Sequence, residues 1–153
     1  FEHMMAVNVR GVYLVSMFAV KQMLTQDGGV IIHNGSVAAV KGIKDRFAYS
    51  ASKGAVLAMT KAMAADYIRD NIRVNCIAPG HLYTPMVAGH LTEDGRELRR
   101  RAGPLGTEGT AWDVAWAAVF LASDEAQWVS GVVLPVDAGL LATTPLAMLP
   151  HLR

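Results

Sequence analysis

The stretch IRVNCIAPG, residues 72–80, is an apolar run of strand length closed by a Pro-Gly pair. Its β-branched residues and the turn formers behind them predict a buried strand over 72–78. Two further runs share that character: GVIIHN at 29–34 and GVVLPVD at 131–137. Before and between them lie helix-forming stretches, about 2–24, about 49–69, and 111–122 with Thr110 as its N-cap. Strands alternating with helices predict an α/β fold, a doubly wound parallel sheet in three layers, α/β/α, joined by right-handed crossovers. Residues 1–153 read as a single domain.

Of the 153 residues, 52% are hydrophobic and 18% charged, the balance of a soluble globular chain. Lys and Arg number 14 against 13 Asp and Glu, a net charge of +1, so neither nucleic acid nor a membrane is expected as a partner. The one dense basic run, Arg99 to Arg101, reads as a solvated helix end. Cys76, the single cysteine, sits in an apolar run, rules out an internal disulfide and suits a reducing compartment. No unbroken apolar stretch reaches the roughly 18 residues of a membrane span, and FEHMMAVNVR does not resemble a secretory leader. The expected location is cytoplasmic. The chain opens without Met, inside a stretch that reads as helix, which makes a fragment the expectation.

The first two helices are apolar in every direction: Val7, Val12, Leu14, Val15 and Phe18 on one, Val56, Leu57, Met59, Met63 and Ile68 on the other. A helix apolar all round is buried all round. In so short a chain this predicts a homodimer or homotetramer built on these helices, and a three-stranded sheet also leaves an edge to be covered. Residues 86–110 differ, because Gly89, Gly95, Gly103, Pro104, Gly106 and Gly109 interrupt charged residues. They read as a mobile excursion with a short helix near 93–101, the part near 84–104 serving as a substrate loop.

FAYSASKGAV, residues 47–56, places Tyr49 and Lys53 at i and i+4, on one helical face. An ammonium beside a phenol favours the phenolate, which suits the phenol to exchange a proton near neutral pH. Alone, the spacing is common on solvated helices. Ser36, in HNGSVAA, directly follows the first strand, and Pro79-Gly80 closes the second. Ligands of open parallel sheets bind at the carboxyl ends of the strands, where both fall. The Ser36 hydroxyl is then placed to polarise a carbonyl oxygen whose proton Tyr49 gives or takes.

In chain order, Asn8 of VNVRG, Ser36 of NGSVA, YSASK with 12 residues between Ser36 and Tyr49, RVNCIAPG followed by Thr84, and SGVVLPVDAG resemble the short-chain dehydrogenase/reductase family. The resemblance covers nearly the whole chain and fades in TTPLAMLPHLR. It implies a Rossmann-like fold and an oxidoreductase that interconverts a secondary alcohol and a ketone by hydride transfer, with NAD or NADP as cofactor. Tyr49 is implied as the catalytic acid/base, Lys53 as the charge that tunes it and holds the cofactor ribose, and Ser36 as the group that orients the substrate oxygen. Asn8 is implied to keep its helix open around a water that relays protons to Lys53. Pro79, Gly80, the backbone around Leu82 and the Thr84 hydroxyl are implied to hold the nicotinamide carboxamide. The chemistry agrees: the oxygen needs a proton while the cofactor carries the difficult step.

The family's opening strand, TGxxxGxG turn and helix do not occur in these residues. Gly28-Gly29 precedes a strand instead of opening a helix, so the phosphate cradle is expected to be absent and the sheet incomplete on its N-terminal side. His33 stands where the family often has Asn, and reads as packing or a substrate-side contact. Arg46, three residues before Tyr49, is a candidate to grip the carboxylate of a hydroxy acid, against a surface Arg paired with Asp45. His81 reads as a substrate contact in the pocket wall or as an exposed loop residue. His3, His33, His81, His90 and His151 show no metal-ligand spacing, and no metal is expected. Trp112, Trp116 and Trp128 read as packing or a subunit interface. Two readings compete with the oxidoreductase: a non-catalytic fragment or oligomerisation module, and a dehydratase or epimerase using the same Tyr and Lys.

Overall fold

The structure is a computed structural model and describes residues 1–144. His151 lies outside the described residues. Strands β1 (Gly29–Asn34), β2 (Ile72–Pro79) and β3 (Val133–Val136) form one parallel sheet in the order β1-β2-β3. Gly29 pairs with Ile72 at one end and Pro79 with Val136 at the other. The helices are α1 (Glu2–Met23), α2 (Phe47–Tyr67), α3 (Pro85–Ala88), α4 (Glu93–Ala102) and α5 (Ala111–Ala122). The bounds of β1 and α5 are those the sequence predicts. Strand β3 is shorter than expected, because Gly131 turns at φ +78° before it. Helix α2 ends in a 3-10 turn, Ile68–Asp70, closed by Asn71 in the left-handed region at φ 58°. The short α3 is not expected from periodicity; Pro85 at its first position is the signal that marks it.

Side-chain alternation along β2 shows why there are three layers. Ile72 and Val74 pack with Val20 of α1, Ile31 of β1, and Met63 and Ala64 of α2. Residues 73 and 75 point to the other face, as a period of two requires. There the Arg73 guanidinium donates to Leu121 O at 2.8 Å and Ser123 O at 3.1 Å, satisfying carbonyls at the end of α5. Asn75 donates to Val129 O at 2.8 Å and accepts from Val132 N at 3.1 Å, fixing the approach to β3. Helices α1 and α2 therefore cover one face and α5 the other. The start of α5 is held by a capping box between Thr110 and Asp113, as the N-cap reading predicts.

Within one chain α1 buries only Ser16 and Val20, whereas Val15 is 71% and Phe18 68% exposed, the apolar surface that the oligomer expectation gives to a second subunit. One sheet face has room for a single stripe of each helix, and the remaining apolar surface of α1 stays outside. Helix α1 also runs unbroken for 22 residues and is long and apolar enough, by length and composition alone, to cross a membrane. Counting unbroken apolar runs missed this, because polar residues such as Ser16 interrupt it. Ser16 and Val20 dock it onto the sheet.

Candidate active site

Helix α2 starts beside the carboxyl end of β1, and Lys53 joins the two. Its ammonium donates to Asn34 O, the last carbonyl of the strand, at 2.8 Å. The same ammonium lies 5.8 Å from the centre of the Tyr49 ring. Burial pushes the Lys53 pKa below its ordinary value, and Cys76 opposes the shift. Two residues past Asn34, Ser36 N-caps a 3-10 turn, Val37–Ala39, that packs on α2. The buried Ser36 Oγ accepts from Ala38 N at 3.1 Å, which leaves its own proton for donation elsewhere. Lys53 and Ser36 thus meet at the strand end that the sequence indicates.

Asn8 reaches the same group through a deformation of α1. Residues Ala6–Gly11 form a π-helical turn, a local widening common at functional sites. Asn8 Nδ2 donates to Ser52 Oγ at 3.1 Å, and Ser52 Oγ donates to Tyr49 O at 2.7 Å. Ser52 is fully buried. Sequence reasoning missed it, although a serine inside a helix between two singled-out residues was the available signal: such hydroxyls bond back to the preceding turn.

At the end of β2, Gly80 N donates to Val136 O at 3.0 Å. A Cβ at Gly80 would lie 2.7 Å from Asp137 Cα, so only glycine lets the two strand ends approach. Pro79 and Gly80 aim the segment that follows. Leu82 N donates to Gly80 O at 3.1 Å, and Leu82 bridges to Gly109. Thr84 stands at the N-cap of α3 with no side-chain cap bond. Helix α4 is fastened over this segment: Arg99 donates to Leu82 O at 3.4 Å, and Arg96 lies 3.8 Å from the Tyr83 ring centre and donates to Glu108 at 2.6 Å. The basic run is therefore more than a solvated helix end at Arg99.

The other candidates separate. Arg46 is exposed at the N-cap position of α2, and no ion pair with Asp45 holds it among the described residues. His33 has the packing role: Nε2 lies 3.0 Å from Ser16 Oγ and Nδ1 2.8 Å from Thr60 Oγ1. Thr60 donates to Val56 O at 2.8 Å, so its oxygen accepts from Nδ1–H and the ring takes Ser16's proton at Nε2. Burial pushes the His33 pKa down, toward this neutral form. Cys76 is core. His81 is half-buried, not an exposed loop residue, and lines a cavity whose walls do not include Tyr49 or Ser36.

Residues 1–141 match a family model described as enoyl-(acyl carrier protein) reductase. The chain is 42% identical over 145 residues to 2-(R)-hydroxypropyl-CoM dehydrogenase of Xanthobacter autotrophicus, covering 93% of this chain and 57% of the relative. It is 43% identical over 143 residues to the inactive 2-(S)-hydroxypropyl-CoM dehydrogenase 2 of the same organism, covering 90% and 62%. Among solved structures it matches ElxO with NADP bound, with a TM-score of 0.84 and 28% identity, over 89% of this chain and 56% of that one. The chain thus spans little more than half the length of these proteins.

Proposed function

The chain belongs to the short-chain dehydrogenase/reductase family, and from that premise we propose that it carries the proton-handling part of an NAD(P)-dependent oxidoreductase acting on a secondary alcohol or its ketone. The observation that carries this reading is the Lys53 ammonium, bonded to the last carbonyl of β1 beside the Tyr49 ring. Tyr49 gives or takes the proton of the substrate oxygen. Lys53 supplies a positive charge beside its ring. Ser36, already accepting from Ala38 N, donates to the same substrate oxygen. Asn8 and Ser52 fix the turn of α2 that presents Tyr49.

The nicotinamide end of a cofactor fits these residues. Thr84 caps nothing with its hydroxyl, and Lys53 has two N–H groups beyond the one given to Asn34 O. Thr84 and the backbone near Leu82 would hold the carboxamide, and Lys53 the ribose hydroxyls. When bound, the nicotinamide supplies or accepts the hydride. The ElxO structure with NADP supports this choice of cofactor, and the hydroxypropyl group in the relative's name supports a small secondary alcohol. Arg46, at the entrance to α2, makes a hydroxy acid the first substrate class to compare. Residues 84–104 form the substrate loop. The exposed apolar faces of α1 and α5 support a homodimer or homotetramer, and the fold and family support a soluble, cytoplasmic enzyme.

The test is absorbance at the nicotinamide band with a panel of secondary alcohols and 2-hydroxy acids. Tyr49→Phe is expected to lower turnover by about 10²–10⁴-fold with an unchanged circular dichroism spectrum. Turnover that survives in this variant removes Tyr49 from its role. The inactive relative at 43% identity favours a second reading, a chain that keeps the fold without the reaction. Titration of the 153-residue chain with NADPH separates the two: binding at micromolar concentration defeats the non-catalytic reading.

A further inference from the structure

Along β1 the buried side chains are those at 31 and 33, and Ile31 packs into the apolar core between α1 and α2. The next inward position holds an imidazole instead. His33 is 5% exposed, Ser16 4% and Thr60 0%, so three polar side chains meet beside a patch otherwise sealed by carbon. Ser16 donates to Nε2 at 3.0 Å and Nδ1–H donates to Thr60 at 2.8 Å, so one ring binds both helices. Stability alone does not call for this arrangement. Apolar groups of the same shape would serve as well, because the ring and both hydroxyls give up bonds to water to form it. What a directional network adds is one allowed placement of the elements it joins.

The position of the network shows which placement matters. Asn34, the next residue of β1, gives its carbonyl to the Lys53 ammonium at 2.8 Å. Thr60 stands about two turns after Lys53 on the same face of α2. Between them, Leu57 approaches the strand so closely that a Cβ at Gly35 would lie 2.9 Å from its Cδ1. Residues 33, 34 and 35 therefore meet Thr60, Lys53 and Leu57 in turn. The contact at Gly35 is apolar and lets α2 slip or roll on the strand, whereas a bond of 2.8 Å to a ring held from both sides does not. We propose that His33 is a positioning residue for the contact between Lys53 and Asn34 O: through Thr60 it fixes the height and rotation of α2 on β1, and with them the ammonium and the Tyr49 ring beside it. Ser16 holds the imidazole from the α1 side. The consequence for turnover rests on the oxidoreductase reading, and the consequence for Lys53 does not.

The test replaces the whole network by carbon. Ser16→Ala/His33→Leu/Thr60→Val leaves no member of the network unpaired, so its urea midpoint should stay close to that of the wild type. Turnover of the whole enzyme should nevertheless fall about ten- to a hundredfold, with KM for the alcohol nearly unchanged. In the 153-residue chain, partial burial holds the Lys53 pKa below the ordinary lysine value. Carbon NMR titration of the lysine side chains should show it moving back toward that value in the triple variant. Ser16→Ala/His33→Asn, whose amide takes the place of Nδ1–H and still reaches Thr60, should restore most of the turnover. Unfolding of the triple variant where the wild type is folded would make the network a matter of stability. Wild-type turnover or an unshifted Lys53 titration in that variant would make α2 independent of His33. Either result overturns the proposal, as does an equal loss of turnover in Ser16→Ala/His33→Asn. A wild-type enzyme that turns over no alcohol defeats the oxidoreductase reading instead, and the Lys53 titration then decides the proposal alone.

Discussion

Residues 34–53 and residues 80–110 both extend from the carboxyl end of a strand, but they use their polar groups differently. In the first stretch nearly every singled-out group is fixed locally: Lys53 on Asn34 O, Ser36 on Ala38 N, Ser52 between Asn8 and Tyr49 O. The second is held by long side chains crossing from α4, and it leaves His81 Nδ1, Arg99 Nη1 and Glu108 Oε1 buried without partners. Ser50 Oγ is the comparable atom in the first stretch. The contrast separates two tasks. Chemistry that must repeat with small positional error sits on a helix fixed to a strand, whereas the second stretch is a connecting segment held in place by side chains of α4.

The sharpest way to break this contrast is to loosen the first stretch without touching a reacting group. Ser52→Ala removes the acceptor of Asn8 Nδ2 and the donor to Tyr49 O in one step. Turnover of the whole enzyme should fall by as much as about 10²-fold, the cost of a misplacement near 1 Å, with KM nearly unchanged. Steady-state kinetics over a range of alcohol concentrations give both numbers. If KM rises while kcat holds, Ser52 shapes substrate binding and the local rigidity is not what matters.

The next effect is on stability. Thr60→Val keeps the shape of the side chain but deprives His33 Nδ1–H of its acceptor in the core. A loss of about 1–3 kcal/mol is expected, measured by urea unfolding. Because burial lowers the His33 pKa below 6.5, the unfolded chain binds the proton more readily than the folded one. The contribution is therefore fully present above pH 6.5 and lost as the pH falls through the lowered native value. Replacing His33 by Asn should flatten that part of the pH–stability curve, and an unchanged slope would assign it to other groups.

The architecture was open to a reader of the sequence because Ile72, Val74 and their counterparts in GVIIHN carry β-branched side chains at strand spacing, and Thr110 with Asp113 has the form of a helix start. The centre was legible for a related reason: Tyr49 and Lys53 are linked by helix periodicity, so their proximity is a local fact. Ser52 went unread although it stands between them, since its importance rests on Asn8, 44 residues away. The alternation that sends Arg73 and Asn75 to α5 and the β3 approach was visible, but their partners are carbonyls, which no side-chain pattern announces. The same holds for Glu108, whose burial depends on how α4 folds back over Leu82. The excess apolar surface of α1 was read as surface for a second subunit, and in the single chain Val15 and Phe18 are indeed exposed.

The smallest effect tests whether the second stretch is mechanically separate from the first. Thr110 closes that stretch and opens α5, and its N-cap geometry links Gly109, which bridges to Leu82, to the far face of the sheet. Thr110→Ala should cost about 1 kcal/mol, the usual worth of an N-cap, and lower Tm by about 2–4 °C in a chain of this size. Amide exchange should quicken at Gly109 and Tyr83, whose N–H groups make the backbone bonds of the bridge, and stay unchanged in α2 around Tyr49. Faster exchange in α2 as well would mean that the two stretches unfold as one unit, and the division of labour between a fixed centre and a separately fastened segment would have no mechanical basis.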